Sequence, residues 1–204
     1  MKPTHVENRM SSREKILLCA SEMFYHGGYQ TTSVDDIIRQ CRVAKSNFYY
    51  HFRTKDDLAF AVIELQVAEY EMMADSTLRN AALPPTERMS GFFAGLEKAQ
   101  AGRNRMSGCP LVNFAAALPD TEDERTERFR QRLLAFFQDL KGMLEACLVD
   151  GMRSGDFRND LPPDATASLL LASLQGLLTL TKTHKETYIL EQGTSLIHRL
   201  LKVT

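Results

Sequence analysis

The sequence has no apolar run close to the ~20 residues that a membrane-spanning helix needs. Its richest apolar stretch, Leu169 to Leu180, is interrupted by Ser173, Gln175 and Gly176. The first nine residues lack the apolar stretch of a secretory signal peptide. Apolar residues make up 44% of the chain, which is enough for a packed core. We therefore expect a cytoplasmic protein that makes no membrane contact.

Patterns typical of disulfide, metal and catalytic sites are also missing. The four cysteines are widely spaced, with no CxxC pair and no accompanying His pair. This spacing favours neither a disulfide framework nor a zinc site, and it fits a reducing compartment. Paired carboxylates, a Ser/His/Asp arrangement and a Gly-rich phosphate loop are not found either. We therefore expect no cofactor and no bound metal, and the lack of these catalytic patterns argues against an enzyme.

Charge is divided unevenly along the chain. Residues 1–55 carry nine Lys or Arg and five Asp or Glu, a balance of +4. Because the whole chain has a net charge of −1, the remainder carries −5. A basic N-terminal segment on an acidic body is typical of a protein whose phosphate contacts are concentrated at one end.

Two short helices joined by a tight turn are predicted between residues 33 and 52. Ser33 can cap the first helix, and Asp36, three residues later, can reach back to complete a capping box. The turn is predicted at residues 41–43 and the second helix at residues 45–51. This arrangement is a helix-turn-helix.

The second helix of this motif has a polar, basic and aromatic outer face. Helical spacing turns Phe48 and Phe52 inward. A short helix of this kind can lie in the major groove of DNA, where Asn47 can bond an adenine in bidentate fashion. We therefore predict double-stranded operator DNA as a partner. The outward residues are Lys45, Ser46, Asn47, Tyr49, Tyr50 and His51.

The run from residue 11 to residue 58 resembles the DNA-binding domain of the TetR family of bacterial repressors. This resemblance implies an all-α fold with a three-helix helix-turn-helix head at residues 1–54. A larger helical domain for effector binding and dimerisation would occupy residues 55–204. It also implies a homodimer that binds a palindromic operator and is released by a small-molecule effector. The residues that carry the resemblance are Gly27, Gly28, Tyr29, Thr31, Thr32, Val43, Phe48, Tyr49, His51, Phe52 and Lys55.

Three positions depart from the family pattern. Arg42 and Ser46 stand where glycine is common, and Ala44 stands where a capping Ser or Thr is frequent. The loss of a hydroxyl cap costs about 1 kcal/mol of local stability, whereas Arg42 adds a positive charge beside the groove. The set implied or predicted to contact phosphates is Thr32, Ser33, Arg42, Tyr49 and Lys55.

The Ser-Gly-Cys segment at residues 107–109 resembles one branch of the family, and in some members of that branch this cysteine senses electrophiles or oxidants. Cys109 would lie at a helix N-terminus, where the dipole favours the thiolate, and Lys182 stands where a lysine able to stabilise it often occurs. The alternative is that Cys109 is a small buried residue. Cys19 and Cys147 are predicted to be core residues, and Cys41 to pack in the turn.

Phe and Met residues of the predicted body can line an apolar pocket that adapts to hydrophobic ligands. The same residues also suit an ordinary core. Asn113 lies among apolar neighbours and needs a partner, from a ligand or from a second helix. The predicted effector-binding set is Phe92, Phe93, Met106, Cys109, Asn113, Phe114, Phe137 and Lys182.

The last two predicted helices, at about 165–184 and 187–202, carry more apolar surface than one core-facing stripe needs. We therefore predict that they form a four-helix bundle with the partner's helices. Two alternatives remain open, a ligand-independent DNA-binding protein and a thiol-reactive enzyme using Cys109. The predicted interface set is Leu170, Leu174, Leu177, Leu178, Leu196 and Leu200.

Overall fold

The computed structural model describes residues 10–102 and 108–202, which form nine α-helices. The predicted all-α fold is confirmed, because the only β-type pairing in these residues is a bridge between Phe157 and Lys202. None of the described helices combines the length and apolar character needed to cross a membrane. The helices are α1 (Ser12–Gly27), α2 (Val34–Cys41), α3 (Lys45–His51), α4 (Lys55–Ser76), α5 (Pro85–Ala101), α6 (Pro110–Ala116), α7 (Glu124–Ser154), α8 (Pro163–His184) and α9 (Tyr188–Leu201).

Helices α1, α2 and α3 form the head around the fully buried Ile16, Ile37 and Phe48. The predicted capping box is confirmed, since Ser33 Oγ accepts a hydrogen bond from the Asp36 N–H at 3.1 Å. Helix α2 includes Cys41, which was predicted to begin the turn. The helix ends there because the next residue adopts a left-handed backbone conformation.

Helix α4 continues from the head into the body. Thr54 caps it by accepting a hydrogen bond from the Asp57 N–H at 3.0 Å, and Asp57 completes a second capping box. The buried face of α4 packs against α1 of the head and against α5, α6 and α7 of the body. Head and body therefore share one hydrophobic core, and the division predicted at residue 54 stays a prediction.

Helix α3 begins without a side-chain cap. Its N-cap residue, Ala44, is exposed and has an extended backbone, with φ −70° and ψ 146°. This backbone conformation suits a Ser or Thr cap, whose oxygen would accept a hydrogen bond from one of the free N–H groups of the first turn.

We expect Ala44→Ser to raise the free energy of unfolding by about 1 kcal/mol, because it supplies this missing acceptor. Urea denaturation of the full chain measures the change. Ala44→Thr and Ala44→Val are a matched pair of similar size in which only Thr can cap. Equal stability of the Thr and Val variants would contradict the capping argument.

Candidate DNA-binding and effector sites

The outer face of α3 carries the side chains predicted to contact DNA. Tyr50 is 83% exposed and Tyr49 is 46% exposed, while Phe48 is fully buried beneath them. Lys45 and Ser46 are also exposed, with the Lys45 ammonium 3.6 Å from Asp35 Oδ1. Asn47 and His51 are half-buried, although full exposure was expected for both. This face presents amide, hydroxyl and cationic groups, which suits readout in a major groove.

The side chains of Thr32 and Lys55 form hydrogen bonds within the head. The Thr32 side chain is buried and its hydroxyl donates to the Gly28 carbonyl at 2.8 Å. The predicted phosphate contact through this side chain is therefore not available in this conformation. Lys55 Nζ donates to the carbonyls of Tyr29 and Thr32, at 3.0 and 3.2 Å, and lies 4.3 Å from the centre of the Tyr29 ring.

Lys55 thus stabilises the connection between α1 and α2. Its burial lowers the pKa of the ammonium group. Two of its three N–H groups are bound to carbonyls, so its predicted contact with phosphate stays a prediction. Ser33 is exposed, and its hydroxyl is committed to the capping box. An anion would therefore be bound by the backbone N–H groups at the start of α2.

Arg42 ends α2 in the left-handed region, with φ 55° and ψ 46°. Its N–H bonds the carbonyls of Ile38 and Arg39, which closes the helix. A left-handed conformation costs roughly 1–2 kcal/mol for a residue with a Cβ atom. Arg42 is exposed at the turn directly before α3, a position compatible with the predicted phosphate contact.

We expect Arg42→Gly to raise the free energy of unfolding by about 1 kcal/mol, because glycine adopts this conformation without steric cost. It should also make the negative slope of log affinity against log salt concentration shallower by about 1, since one cation is lost. Denaturation and DNA titrations at several salt concentrations measure the two effects. Arg42→Ala is the control and should show the second effect alone. Equal stability of the Gly and Ala variants would disprove the strain.

Cys109 lies at the start of α6, where it is the N-cap residue with an extended backbone. It is 3% exposed, and its Sγ accepts a hydrogen bond from the Tyr70 hydroxyl on α4 at 3.4 Å. A hydroxyl donor at this distance stabilises negative charge on sulfur. The thiol therefore has a donor that the sequence pattern did not indicate.

Gly108, directly before it, is held by three other helices. Its carbonyl accepts hydrogen bonds from the Tyr25 hydroxyl of α1 at 2.7 Å and from Gln100 Nε2 of α5 at 3.1 Å. Its φ is +76°, and an added Cβ would lie 3.1 Å from the Leu178 carbonyl oxygen of α8. We call Gly108 and Cys109, with Tyr25, Tyr70 and Gln100, the α6 junction.

Lys182 and Asn113 are joined to each other. Lys182 Nζ donates to Asn113 Oδ1 at 3.3 Å, which links α8 to α6 one turn after Cys109. The predicted partner of Asn113 is thus supplied by a second helix. The described contacts place the Lys182 ammonium on this amide, and the donor at the thiol is Tyr70.

Two family models match the chain in the regions of these two sites. Residues 16–62 match the model of bacterial regulatory proteins of the TetR family. Residues 85–196, more than half of the chain, match the model of tetracyclin repressor-like C-terminal domains. The chain belongs to the TetR family.

Known members of the TetR family align with nearly the whole chain. The transcriptional repressor DhaR from Mycobacterium sp. (strain GP1) is 28% identical over 193 residues, which cover 95% of this chain and 93% of DhaR. A regulatory protein TetR from Rhodobacter sphaeroides has the same fold, with a TM-score of 0.83, 23% identity and coverage of 93% and 98%. The reduced form of Escherichia coli NemR gives a TM-score of 0.79 with 19% identity, covering 95% and 100%.

The aromatic residues predicted to line one TetR-type effector pocket lie apart. Phe92 and Phe93 are buried in the core between helices, and Phe114 packs its ring against Tyr29 and Phe129, at centroid distances of 5.1 and 5.2 Å. Phe137 lines a separate surface groove of about 290 Å³ between α6 and α7. Phe92, Phe93 and Phe114 therefore pack in the core, which favours the alternative of an ordinary core, and the effector-binding role of the set stays a prediction. Met106 lies outside the described residues.

The cysteine predictions need one correction. Cys147 is fully buried, which confirms it as a core residue, and burial raises its pKa to about 11. Cys41 is 3% exposed at the end of α2. Cys19, predicted to be a core residue, is half-buried and lines a surface groove next to α2.

TetR-family repressors bind DNA as dimers, but three of the leucines predicted for the interface face the core. Leu170, Leu174 and Leu178 are buried within the protomer, because a spacing of four residues aligns them on one side of α8. Leu177 packs between α8 and α9, where an added Cβ at Gly193 would lie 2.4 Å from it. Leu170, Leu174 and Leu178 are therefore corrected to core residues of the protomer, whereas Leu177 is half-buried and its role in the interface stays a prediction.

The exposed apolar surface of α8 and α9 lies on other positions. Leu196 and Leu200 are exposed as predicted, Leu200 by 59%. On α8, Leu169 is 67% exposed and Leu180 is also exposed, while an added Cβ at Gly176 would meet nothing within 4 Å. We call Leu169, Gly176, Leu180, Leu196 and Leu200 the outer stripe.

Proposed function

We propose that the protein is a homodimeric, cytoplasmic transcriptional repressor that is released from a palindromic operator by a small electrophile reacting at Cys109. It has no catalytic role and needs no cofactor in this proposal. The observation that carries the proposal is the 2.7 Å hydrogen bond from Tyr25, in the DNA-binding head, to the carbonyl beside Cys109. A change at the thiol therefore acts on a direct contact of the head.

The close packing at the start of α6 explains why a reaction at Cys109 would move the helix. Next to α6 is a cavity of about 20 Å³, lined by Tyr25, Pro110, Leu111 and Phe114 among others. A volume of this size holds about one water molecule. When the thiol adds to the β-carbon of an unsaturated aldehyde or quinone, its proton passes to the electrophile and the whole molecule stays attached. Because Cys109 is 3% exposed, this adduct must displace the groups packed around the thiol, so the start of α6 must shift.

A shift of α6 changes operator affinity by linkage. The two recognition helices of a dimer must stand about 34 Å apart to enter successive major grooves. An adduct that favours a different position of Gly108 also favours a different position of Tyr25 and α1. The coupling between two such sites is typically 1–3 kcal/mol, or 5- to 150-fold in affinity.

A cleft of about 610 Å³ between α1, α4 and α5 favours a second kind of effector, a non-reactive ligand that binds in this cleft. Tyr25, Gln66, Met73 and Lys98 are among its lining residues, so a ligand there would also touch a member of the α6 junction. The volume fits a small hydrophobic ligand. A non-reactive ligand bound in this cleft should release DNA from Cys109→Ser as from the wild type.

The DNA-binding assignment is tested with an operator selected from random duplexes by the purified protein. We expect Asn47→Ala to cost about 1–3 kcal/mol on this operator and little on random DNA, because it removes a base contact. Tyr49→Phe should weaken binding to both about equally, since it removes a phosphate contact. Fluorescence anisotropy measures both affinities. Wild-type affinity in both variants would show that α3 is not the recognition helix.

A further inference from the structure

Two cysteines of the head lie side by side, away from the α6 junction. Cys19 is on α1, and Cys41 is the last residue of α2. Both line a surface groove of about 570 Å³, together with Lys15, Gln40 and Arg42 among others. Cys19 lies close enough to Cys41 to contribute to the raised pKa of the Cys41 thiol. The lining of this groove includes no residue of the α6 junction.

The two thiols differ in their access to solvent. Cys19 is half-buried at the groove, whereas Cys41 is 3% exposed. Burial and the adjacent Cys19 raise the pKa of Cys41 to about 12, against a smaller opposing effect of Lys15. Cys41 is therefore a neutral thiol at neutral pH, and Cys19 meets a dissolved oxidant first.

We propose that Cys19 and Cys41 form a dithiol oxidation site, at which hydrogen peroxide produces a disulfide that lowers the affinity of the head for DNA. Cys19 Sγ attacks one peroxide oxygen, the O–O bond breaks, and one water leaves, so that Cys19 becomes a sulfenic acid. Cys41 Sγ then attacks the Cys19 sulfur, the S–O bond breaks, and a second water leaves. Two thiols are oxidised to one disulfide while one peroxide is reduced to two waters.

The disulfide would distort the turn that aims α3. A covalent S–S bond is about 2.05 Å long, much shorter than any contact between unbonded sulfurs. Bond formation must therefore pull the end of α2 towards α1. Cys41 directly precedes Arg42, whose left-handed conformation ends α2 only three residues before α3 begins. A displacement of about 1 Å there is enough to break base contacts, because hydrogen bonds to bases need donor–acceptor distances of about 2.7–3.2 Å.

The chemistry is tested in a Cys109→Ser background, which removes the proposed effector thiol. The reduced protein is treated with hydrogen peroxide, its remaining thiols are alkylated, and the tryptic peptides are identified by mass spectrometry. Trypsin separates the two cysteines, since Cys19 falls in peptide 16–39 and Cys41 in peptide 40–42. We expect these two peptides to be linked, and peptides linked through Cys147 to be absent. Failure to find the 16–39/40–42 pair overturns the proposal.

The consequence is tested by operator affinity in the same background. Each protein is compared with its own reduced form. We expect oxidation to lower affinity at least about fivefold and dithiothreitol to restore it. Added Cys19→Ser or Cys41→Ala substitutions should abolish the response, while Cys147→Ser should retain it. A linked pair with unchanged affinity overturns the regulatory role.

The affinity readout rests on the proposed DNA-binding function, but the peptide readout does not. If the reduced protein bound no operator, the proposed function would fail, and the regulatory part of this inference with it. If the reduced protein bound operator but no linked peptides formed, only the dithiol site would fail.

Discussion

Leu196→Glu and Leu200→Glu, made together, should convert the protein from dimer to monomer and lower operator affinity by about 10²- to 10⁴-fold. Both leucines belong to the exposed outer stripe of α8 and α9, so the change leaves the protomer core intact. Two carboxylates per protomer would then be buried without partners in the proposed four-helix interface. Affinity falls because a monomer binds one half-site and loses the effect of linked binding.

Sedimentation velocity at micromolar concentration measures the assembly, and anisotropy measures the affinity. Leu134→Glu is the matched control, because Leu134 is 55% exposed on α7, outside the outer stripe. It should leave the dimer unchanged. A wild-type monomer, or a double variant that stays dimeric, would contradict the proposed interface.

Cys109→Ser should bind the operator but fail to release it on treatment with an unsaturated aldehyde. In the wild type the same treatment should lower affinity by 5- to 150-fold. The serine hydroxyl is a far weaker nucleophile than a thiolate and forms no adduct. Cys147→Ser is the control and should respond like the wild type, because burial raises the pKa of Cys147 to about 11 and keeps it a neutral thiol.

Two results would oppose this switch. One is release from Cys109→Ser equal to that of the wild type, and the other is an even distribution of adducts over all four cysteines in mass spectrometry.

The cleft between α1, α4 and α5 makes its own prediction. Ala99→Phe would fill part of that cleft, so it should abolish release by a non-reactive hydrophobic ligand and leave the response to the aldehyde intact.

Local patterns predicted the head well. The capping box predicted at Ser33 depends on residues three positions apart, so its geometry follows directly from the sequence, and the box found at Thr54 has the same spacing. The start of α3 at Lys45 follows from the same short-range spacing. These elements could be predicted because each is determined within one or two helical turns.

The leucines of α8 show where periodicity fails. Leu169 and Leu170 are adjacent and equally apolar, yet one is 67% exposed and the other is buried. Apolar residues occur on both sides of this helix, so the spacing cannot say which side meets the core of the protomer. That choice depends on packing against α7 and α9, the two helices that flank α8 in sequence, and the spacing of residues within α8 does not reveal how these helices pack.

The α6 junction was missed for a related reason. Tyr25 and Gly108 are 83 residues apart in sequence, and Tyr70 and Cys109 are 39 apart. No short-range pattern marks a tyrosine as the partner of a distant carbonyl or thiol. A weak signal was available at Gly108, because a glycine two residues before the Pro110 that starts a short helix suggests a turn with close backbone contacts.

The central claim is that the head senses Cys109 through Tyr25, and Tyr25→Phe tests it most directly. The substitution removes only the hydroxyl that bonds the Gly108 carbonyl, which keeps its bond from Gln100. Wild type and variant are both alkylated at Cys109, complete modification is verified by mass spectrometry, and operator affinity is measured by anisotropy. We expect alkylation to lower wild-type affinity 5- to 150-fold and that of the variant much less. An equal loss in both proteins would contradict the claim.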